Sequence, residues 1–371
     1  MEVKKLKEVC ENLDNRRIPI TKHKRESGNI PYYGASGIVD YVDSYIFDEN
    51  LLLVSEDGAN LLARTYPIAF SISGKTWVNN HAHVLRFKNL ISQNFIEYYL
   101  NSIKLDDYIS GMAQPKLNQK MLNSIEVPFP ALEEQKQIVA ILDEAFEAIE
   151  IAKTNIEKNL ANSKELFQSK LNEIFSQKGE GWEEKKLGDV CKLYQGLAIN
   201  KKTKHLLVEK SSLPLLRIKD LKKNTEEQFV SEIGYPENSR VYKNEIIYTR
   251  TGSLGLVFIN KEGILHNNSF KVIPNEEVVN DYLYWWLQHD NFTNKIIKLA
   301  SKAAQPDISH KLFKEQSIII PEKEFQNKNI ILIDKLNNDI KMIEVKYQQK
   351  LSYLEELKKS ILQKAFNGEL V

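Results

Sequence analysis

Two stretches of this chain repeat one another, and that duplication constrains the fold more than any other feature. Ala113-Gln114-Pro115 recurs as Ala304-Gln305-Pro306, an offset of 191 residues. The same offset carries Pro130 onto Pro321, Gln135 onto Gln326 and Asp143 onto Asp334. It continues through Glu165 and Glu356, Ser169 and Ser360, Leu171 and Leu362, and Phe175 and Phe366. A register kept without gaps over about sixty residues is not a chance match. Upstream the match persists with gaps. Lys4-Lys5-Leu6 with Val9-Cys10 matches Lys185-Lys186-Leu187 with Val190-Cys191, residues 50–58 resemble 244–252, and Asn79-Asn80 resembles Asn267-Asn268. The segments behind each Ala-Gln-Pro agree in length and pattern, whereas the bodies ahead of them differ in loop length and polar residues. The first reads as shared scaffold, the second as two readers tuned to different targets.

Each body, residues 1–132 and 180–321, mixes short β-type runs with Gly, Asn and Pro punctuation. Residues 51–55, 83–87, 246–249 and 256–259 read as strands, bounded by Asp57-Gly58 or Thr251-Gly252. Residues 94–102 and 281–289 are aromatic-rich helical candidates. Bodies of this size can each bury a core.

From residue 133 to about 176 the period changes. Ile138, Leu142, Ala145, Ile149, Ala152 and Ile156 follow the 4-3 spacing of a coiled-coil seam. The stripe then shifts by one position to Leu160, Phe167, Leu171 and Ile174, as at a stutter. The second copy shows Ile333, Leu336, Ile340, Ile343, Tyr347, Leu351 and Leu354, then Ile361 and Ala365. Pro130 and Pro321 mark the entries, and Gly179 and Gly368 lie past the exits. A helix of about 44 residues is roughly 66 Å long, more than one small body needs. The two helices are expected to pair antiparallel, giving pseudo-two-fold symmetry with one body at each end. The predicted class is α+β: two mixed α/β domains (1–132 and 180–321) separated by long helices (133–179 and 322–371) in an antiparallel coiled coil.

Charge and cysteine content narrow the function. The net charge is +1, and the first body carries 15 basic and 15 acidic side chains, so nothing here is a bulk polyelectrolyte binder of DNA. Any nucleic-acid contact must come from local clusters or be shared with a more basic partner. Two cysteines exclude a disulfide framework and a CxxC metal pair, and their equivalent positions suit buried thiols. No signal peptide opens the sequence, and no apolar run is long enough to span a bilayer, so a soluble cytoplasmic protein is expected.

The helical segments carry a recognisable pattern. Val127-Pro128-Phe129-Pro130-Ala131-Leu132-Glu133-Glu134-Gln135-Lys136-Gln137-Ile138 resembles the central conserved region of type I restriction–modification specificity subunits. Leu354-Glu355-Glu356-Leu357-Lys358-Lys359-Ser360-Ile361-Leu362-Gln363-Lys364-Ala365-Phe366-Asn367-Gly368 resembles their C-terminal region. The second helix entry, Pro321-Glu322-Lys323-Glu324-Phe325-Gln326, is degenerate relative to the first. The resemblance implies two target recognition domains, each reading one half of a bipartite site on double-stranded DNA. It implies helices that separate the halves and recruit modification (methyltransferase) subunits, two in number, which supply S-adenosylmethionine chemistry on adenine. Restriction subunits with ATP-driven translocation would join that core. This chain itself would be non-catalytic, with no cofactor, no metal and no membrane partner. The alternatives are a specificity subunit of a related system without a translocating restriction subunit, or a helical scaffold that reads no DNA.

Motifs for other chemistry fail on spacing. Ser73-Gly74-Lys75-Thr76 looks like the end of a phosphate loop, but the earlier glycine would fall at Ala69 and a strand follows. Thr251-Gly252-Ser253-Leu254-Gly255 lacks GxGxxG spacing, and no Asn-Pro-Pro methylation tetrad occurs. His81 and His83 would share a strand face but lack a further ligand at suitable spacing. Tyr98-Tyr99 and Tyr284-Trp285-Trp286 fit core packing better than base stacking. Base reading needs polar forks on loops, Arg or Lys for guanine and Asn or Gln for adenine. In the first body the DNA-binding candidates are Tyr32, Tyr33, Arg64, Lys75, Asn79, Asn80 and His81, with Lys116, Asn118 and Lys120 suited to phosphate. In the second they are Arg217, Lys219, Arg250, Asn267, Asn268, Lys302 and Lys311. Gln114 and Gln305 sit in a repeated turn and are expected to shape backbone rather than read sequence.

Overall fold

The computed structural model describes residues 2–111, 113–302 and 304–370. The chain divides into two compact units, residues 1–156 with 348–371, and residues 157–347. Each unit thus holds one body, part of one long helix and part of the other.

In the first unit a four-stranded antiparallel sheet runs Glu11–Asn12, Ala82–Arg86, Leu51–Ser55, Ala69–Ile72. Leu51–Ser55 is buried at every position, so both faces must be covered. On one side lies the helix Leu90–Ser102, whose N-cap Asn89 accepts a hydrogen bond from the Ser92 amide at 2.8 Å. Leu52, Val54 and Leu85 pack with its Phe95, Ile96 and Leu100, and with Ile138, Leu142 and Ala365 from the two long helices. On the other side Leu51, Leu53 and Val84 pack with Leu13, Phe47 and Val78. That second layer belongs to another sheet, built on the hairpin Ser27–Gly34 and Gly37–Val42 with the strand Lys75–Val78. The first strand, Val3–Lys5, pairs antiparallel with Glu126–Pro128 just before the helix entry.

The second unit repeats the central sheet as Cys191–Gln195, Ser269–Pro274, Ile246–Thr249, Val257–Phe258. Glu183–Lys186 pairs with Ser317–Ile320 as the first strand does with its partner. Tyr248, Phe270, Trp285, Trp286, Phe292 and Phe313 fill an aromatic core that also takes Leu171, Ile174, Phe175 and Ile333. The additional sheets differ from those of the first body: Leu215–Leu216, Gly263–Leu265 and Arg240–Val241 form one, and Leu207–Val208 with Phe229–Val230 another. The helix expected over 281–289 spans Asn280–Trp286, and a further helix, Asp290–Ala300, follows it.

The long helices span Leu132–Phe175 and Lys323–Phe366, 44 residues each. Within each unit they run antiparallel. In the first, Lys358 Nζ lies 4.8 Å from the Phe146 ring centroid and Lys153 pairs with Glu355. In the second, Lys164 faces Glu344 at 3.8 Å while Ile174 shares a core with Ile333. Ile343, placed on the seam by its spacing, is 38% exposed instead, so the stripe turns away from it. Repeated side chains fasten these helices to the bodies. Gln135 and Gln326 are both buried, and each donates from Nε2 to the entry proline, Pro130 at 2.8 Å and Pro321 at 2.9 Å. Asp143 accepts from the Tyr98 hydroxyl, and Asp334 from the Trp285 indole at 2.8 Å. Phe366 meets Phe95 edge to face, as Phe175 meets Tyr282. Among the described residues no helix is long and apolar enough to cross a membrane.

Candidate nucleic-acid interface

Both bodies present the same backbone rim at one end of the central sheet. In the first, the strand Leu51–Ser55 runs out into Glu56-Asp57-Gly58. The Glu56 amide donates to the His81 carbonyl at 2.9 Å, and the Leu117 amide donates to the Glu56 carbonyl at 2.8 Å. In the second, the Arg250 amide donates to the Asn268 carbonyl at 2.9 Å, and the Ile308 amide to the Arg250 carbonyl at 3.0 Å. Gly58 (φ +114°) and Gly252 (φ +78°) carry the turn in backbone that side chains disfavour. Three loops therefore converge on each rim: the strand-end turn, the turn before the next strand, and the segment behind Ala-Gln-Pro.

The side chains on this shared frame invert in charge. Lys116 Nζ lies 3.1 Å from Glu56 Oε1. At the matching positions Arg250 forks onto Asp307, Nε to Oδ1 at 2.8 Å and Nη2 to Oδ2 at 2.5 Å. Arg250 also donates to Gln195 Oε1 at 2.9 Å, and the Asp307 bonds hold its guanidinium above its ordinary pKa. In the first body Arg17 plays the cation, donating to Glu56 Oε2 at 2.6 Å and to the Ala82 carbonyl at 2.7 Å.

His83, fully buried, lies with Asp14 and Glu56 in a group whose ligand atoms all fall within 4.8 Å. These acids sit far from His83 in sequence, Asp14 in a 3-10 turn and Glu56 in the loop just past the strand Leu51–Ser55, so spacing along the chain does not reveal them. The set does not suit a metal. His83 Nε2 faces the Leu117 carbonyl at 2.7 Å, which requires a proton there, and Nδ1 meets Asp14 Oδ2 at 2.6 Å. Arg17 already supplies the compensating cation, 3.5 Å from Asp14. Burial pushes both carboxyls upward. For Asp14 the His83 bond and charge, the Val84 amide and Arg17 outweigh it, and for Glu56 the Arg17 bond, His83 and Lys116 do, so both titrate below their ordinary values. His81 stands apart, on a turn and paired with Asp57 at 2.8 Å.

The sequence candidates now separate by what else they do. Tyr32 is 1% exposed and receives the Ile20 amide on its hydroxyl at 2.9 Å, so it is a core residue and not a surface reader. Arg64 donates to the Leu100 and Ile103 carbonyls at 3.4 and 2.5 Å, closing the end of a helix. Asn118 is an N-cap, its side chain accepting from the Met121 amide at 3.0 Å, and Asn79 is buried with its side chain accepting from the His81 amide at 2.8 Å. Arg217 is committed to Asp220 and Glu227, Lys219 pairs with Glu227, and Lys116 and Arg250 are held in the pairs described. Tyr33 is half-buried, its ring centroid 6.1 Å from that of Phe70, and Asn267 is half-buried with its amide bonded to the Leu197 carbonyl at 3.0 Å. Lys75, Asn80, His81, Lys120, Asn268, Lys302 and Lys311 keep exposed side chains. Of these, Asn80, His81 and Asn268 lie at the rims. The strand register also corrects the match of Asn79-Asn80 to Asn267-Asn268. Ser55 pairs with Ala82 and Thr249 with Ser269, which aligns His81 with Asn268 and Asn80 with Asn267.

Sequence reasoning missed two features. Ser36 and Tyr66 share a hydrogen bond at 2.9 Å on exposed loops, and Ser55 ties the Ala35 carbonyl to the strand end at 2.5 Å. Only the tertiary fold brings these together. The second is a repeated basic turn. Thr21 precedes the 3-10 turn Lys22–Lys24, and Thr203 precedes the 3-10 turn Lys204–Leu206. Its signal, Thr-Lys-His repeated at an offset of 182, stands in the sequence.

A family model described as the type I restriction modification DNA specificity domain matches residues 1–161 and again 179–353. The chain belongs to that family of DNA specificity subunits. A putative type I restriction enzyme specificity subunit from Haemophilus influenzae is 28% identical over 349 residues, covering 90% of this chain and 87% of the relative. The MjaIX specificity subunit from Methanocaldococcus jannaschii is 24% identical over 412 residues, covering 100% and 93%. Among solved structures, a chain from work on the assembly and conformational transition of the type I R-M system overlays with a TM-score of 0.78 at 17% identity, covering 99% of this chain and 98% of that one. The HsdS subunit from Thermoanaerobacter tengcongensis overlays at 0.58 with 16% identity, covering 99% and 97%. These overlays speak to the fold.

Proposed function

We propose that each body reads one half of a bipartite target on double-stranded DNA through its sheet-end rim. The supporting observation is one backbone frame carrying two different polar sets. The first rim offers Asn80 and His81 beside Ser36 and Tyr66, and the second offers Asn268 and the half-buried Asn267. Asparagine side chains can fork onto adenine, and exposed hydroxyls and imidazole can take base edges in the major groove. Lys75, Lys120, Lys302 and Lys311 are assigned to phosphate, which fixes position without reading sequence.

The chain acts without catalysing. It directs two modification subunits that carry S-adenosylmethionine chemistry, and restriction subunits that join them, on DNA in the cytoplasm. Purified alone it is expected neither to methylate nor to cleave. The deciding experiment exchanges residues 180–321 for the second body of another family member and maps the methylated sequence in cells that also make the modification subunits. One half of the target should change while the other stays. A target altered in both halves, or in neither, would defeat independent reading, and turnover by the isolated chain would defeat the non-catalytic assignment.

A further inference from the structure

The two rims differ in nearly every exposed polar residue, yet both bodies keep the basic turn. Thr21-Lys22-His23 and Thr203-Lys204-His205 occupy corresponding places, each after the strand that edges the central sheet. All of these residues except the half-buried Thr203 are exposed. More lysines flank the shared pair, Lys24 in the first body and Lys201 and Lys202 in the second. The connection to the rim is short in both copies. Arg17, five residues before Lys22, is bonded to Glu56 and the Ala82 carbonyl. Leu197, seven before Lys204, donates its amide to the Leu265 carbonyl at 2.6 Å and receives the Asn267 amide at 3.0 Å.

Two readers of different half-sites gain nothing from the same base-reading side chain, but both must grip the part of DNA that never varies. We propose that Lys22 with Lys24, and Lys204 with its neighbours, are phosphate contacts placed equivalently on the two bodies, fixing each rim over its half-site. This rests on the DNA-reading function proposed above. A lysine on a short turn supplies a point charge without a fixed fork, which suits backbone gripping rather than base discrimination.

The test uses the chain assembled with its modification subunits and a duplex carrying the methylated target. Affinity is measured from low to high salt for the unaltered complex, for Lys22→Ala with Lys24→Ala, for Lys204→Ala, and for Lys22→Arg with Lys24→Arg. Each lysine removed should lower the slope of log affinity against log salt by about 0.9. The methylated sequence should stay the same, and the arginine variant should keep the full slope. An unchanged slope overturns the proposal, as does a changed target sequence, which would make these side chains base readers. An unaltered complex that binds no duplex would overturn the DNA-reading function along with it.

A separate observation carries a second inference. The closing segment behind each Ala-Gln-Pro is tied to its strand end by an equivalent backbone bond, Leu117 to Glu56 and Ile308 to Arg250, and that bond by itself does not tell one slot from the other. The charges do: a segment in the wrong slot sets Asp307 against Glu56, or Lys116 against Arg250. We infer that the inverted ion pairs keep each segment in its own body, against exchange within a chain or between two copies, a hazard of tandem repeats. Arg250→Glu with Asp307→Lys gives both bodies the same polarity, and Arg250→Lys with Asp307→Glu keeps the natural one. After refolding at high concentration, the first variant should yield several-fold more stable dimer on a sizing column, and the second no more than the unaltered chain. Equal dimer from both variants, or no excess from the first, overturns the inference.

Discussion

Gln135 accepts the Ser92 hydroxyl on its Oε1 at 2.8 Å, a bond between side chains 43 residues apart that are 1% and 4% exposed. Its Nε2 goes to the Pro130 carbonyl. One buried amide therefore joins a body helix, the entry loop and the long helix. Gln326 does the same work with different partners, accepting the Val279 amide at 2.7 Å and donating to Glu277 and Pro321. Gln135→Leu or Gln326→Leu leaves buried polar groups without partners, at a cost of about 1–3 kcal/mol each. Denaturant unfolding of the single variants should show this as a lowered midpoint with little change in slope.

The rim asparagines should act on one half-site each. Asn80→Ala is expected to relax the target at one position in one half, and Asn268→Ala in the other, each at roughly 1–3 kcal/mol of discrimination. Sequencing of methylated DNA reads both outcomes. A loss that is uniform across all sequences would reassign these side chains to the backbone.

Acid should weaken the first body through Asp14 and Glu56. Both titrate lower in the folded chain than their ordinary values of 3.8 and 4.5. The unfolded chain therefore takes up protons first, and the stability these groups provide is complete above about pH 4.5. It drains away as pH falls through the folded values. Stability measured between pH 6 and 3 should fall along this limb, and Glu56→Gln should be less stable at neutral pH with a shallower limb.

Burial pushes the thiols of Cys10 and Cys191 up to about 12. Reactivity follows the thiolate, so an aromatic disulfide reagent at pH 8 should label neither in the folded chain. Both should react within seconds once denaturant is added.

The helices were legible because an unbroken helix cannot absorb an insertion without rotating everything beyond it. The offset of 191 therefore survives intact where the scaffold lies. The helices, Leu132–Phe175 and Lys323–Phe366, start within a residue of the segments read as 133–179 and 322–371 and stop four and five residues short of their ends. The rims were not legible in the same way. Arg250 looks like a guanine fork in isolation, and its true partner Asp307 lies 57 residues on. Tyr32 reads as an exposed loop aromatic, but the parallel pairing of its strand with Lys75–Val78 buries it. Letter identity pairs the asparagines one residue out, because hydrogen-bond register decides which side chains are equivalent. The basic turn stands in the sequence as a repeated Thr-Lys-His, but a short run of charge resembles any solvated surface until the fold gives it a place.

The pairing of Val3–Lys5 with Glu126–Pro128, and of Glu183–Lys186 with Ser317–Ile320, has a consequence for ancestry. In each body the chain enters and leaves through two neighbouring antiparallel strands, so the ends of the inserted sequence sit side by side. A recombination event with crossovers at those strands can replace everything between them, whatever its loop lengths, and still join cleanly to the long helices. A gene built this way can acquire a new half-specificity in one step, by trading a cassette instead of accumulating point changes.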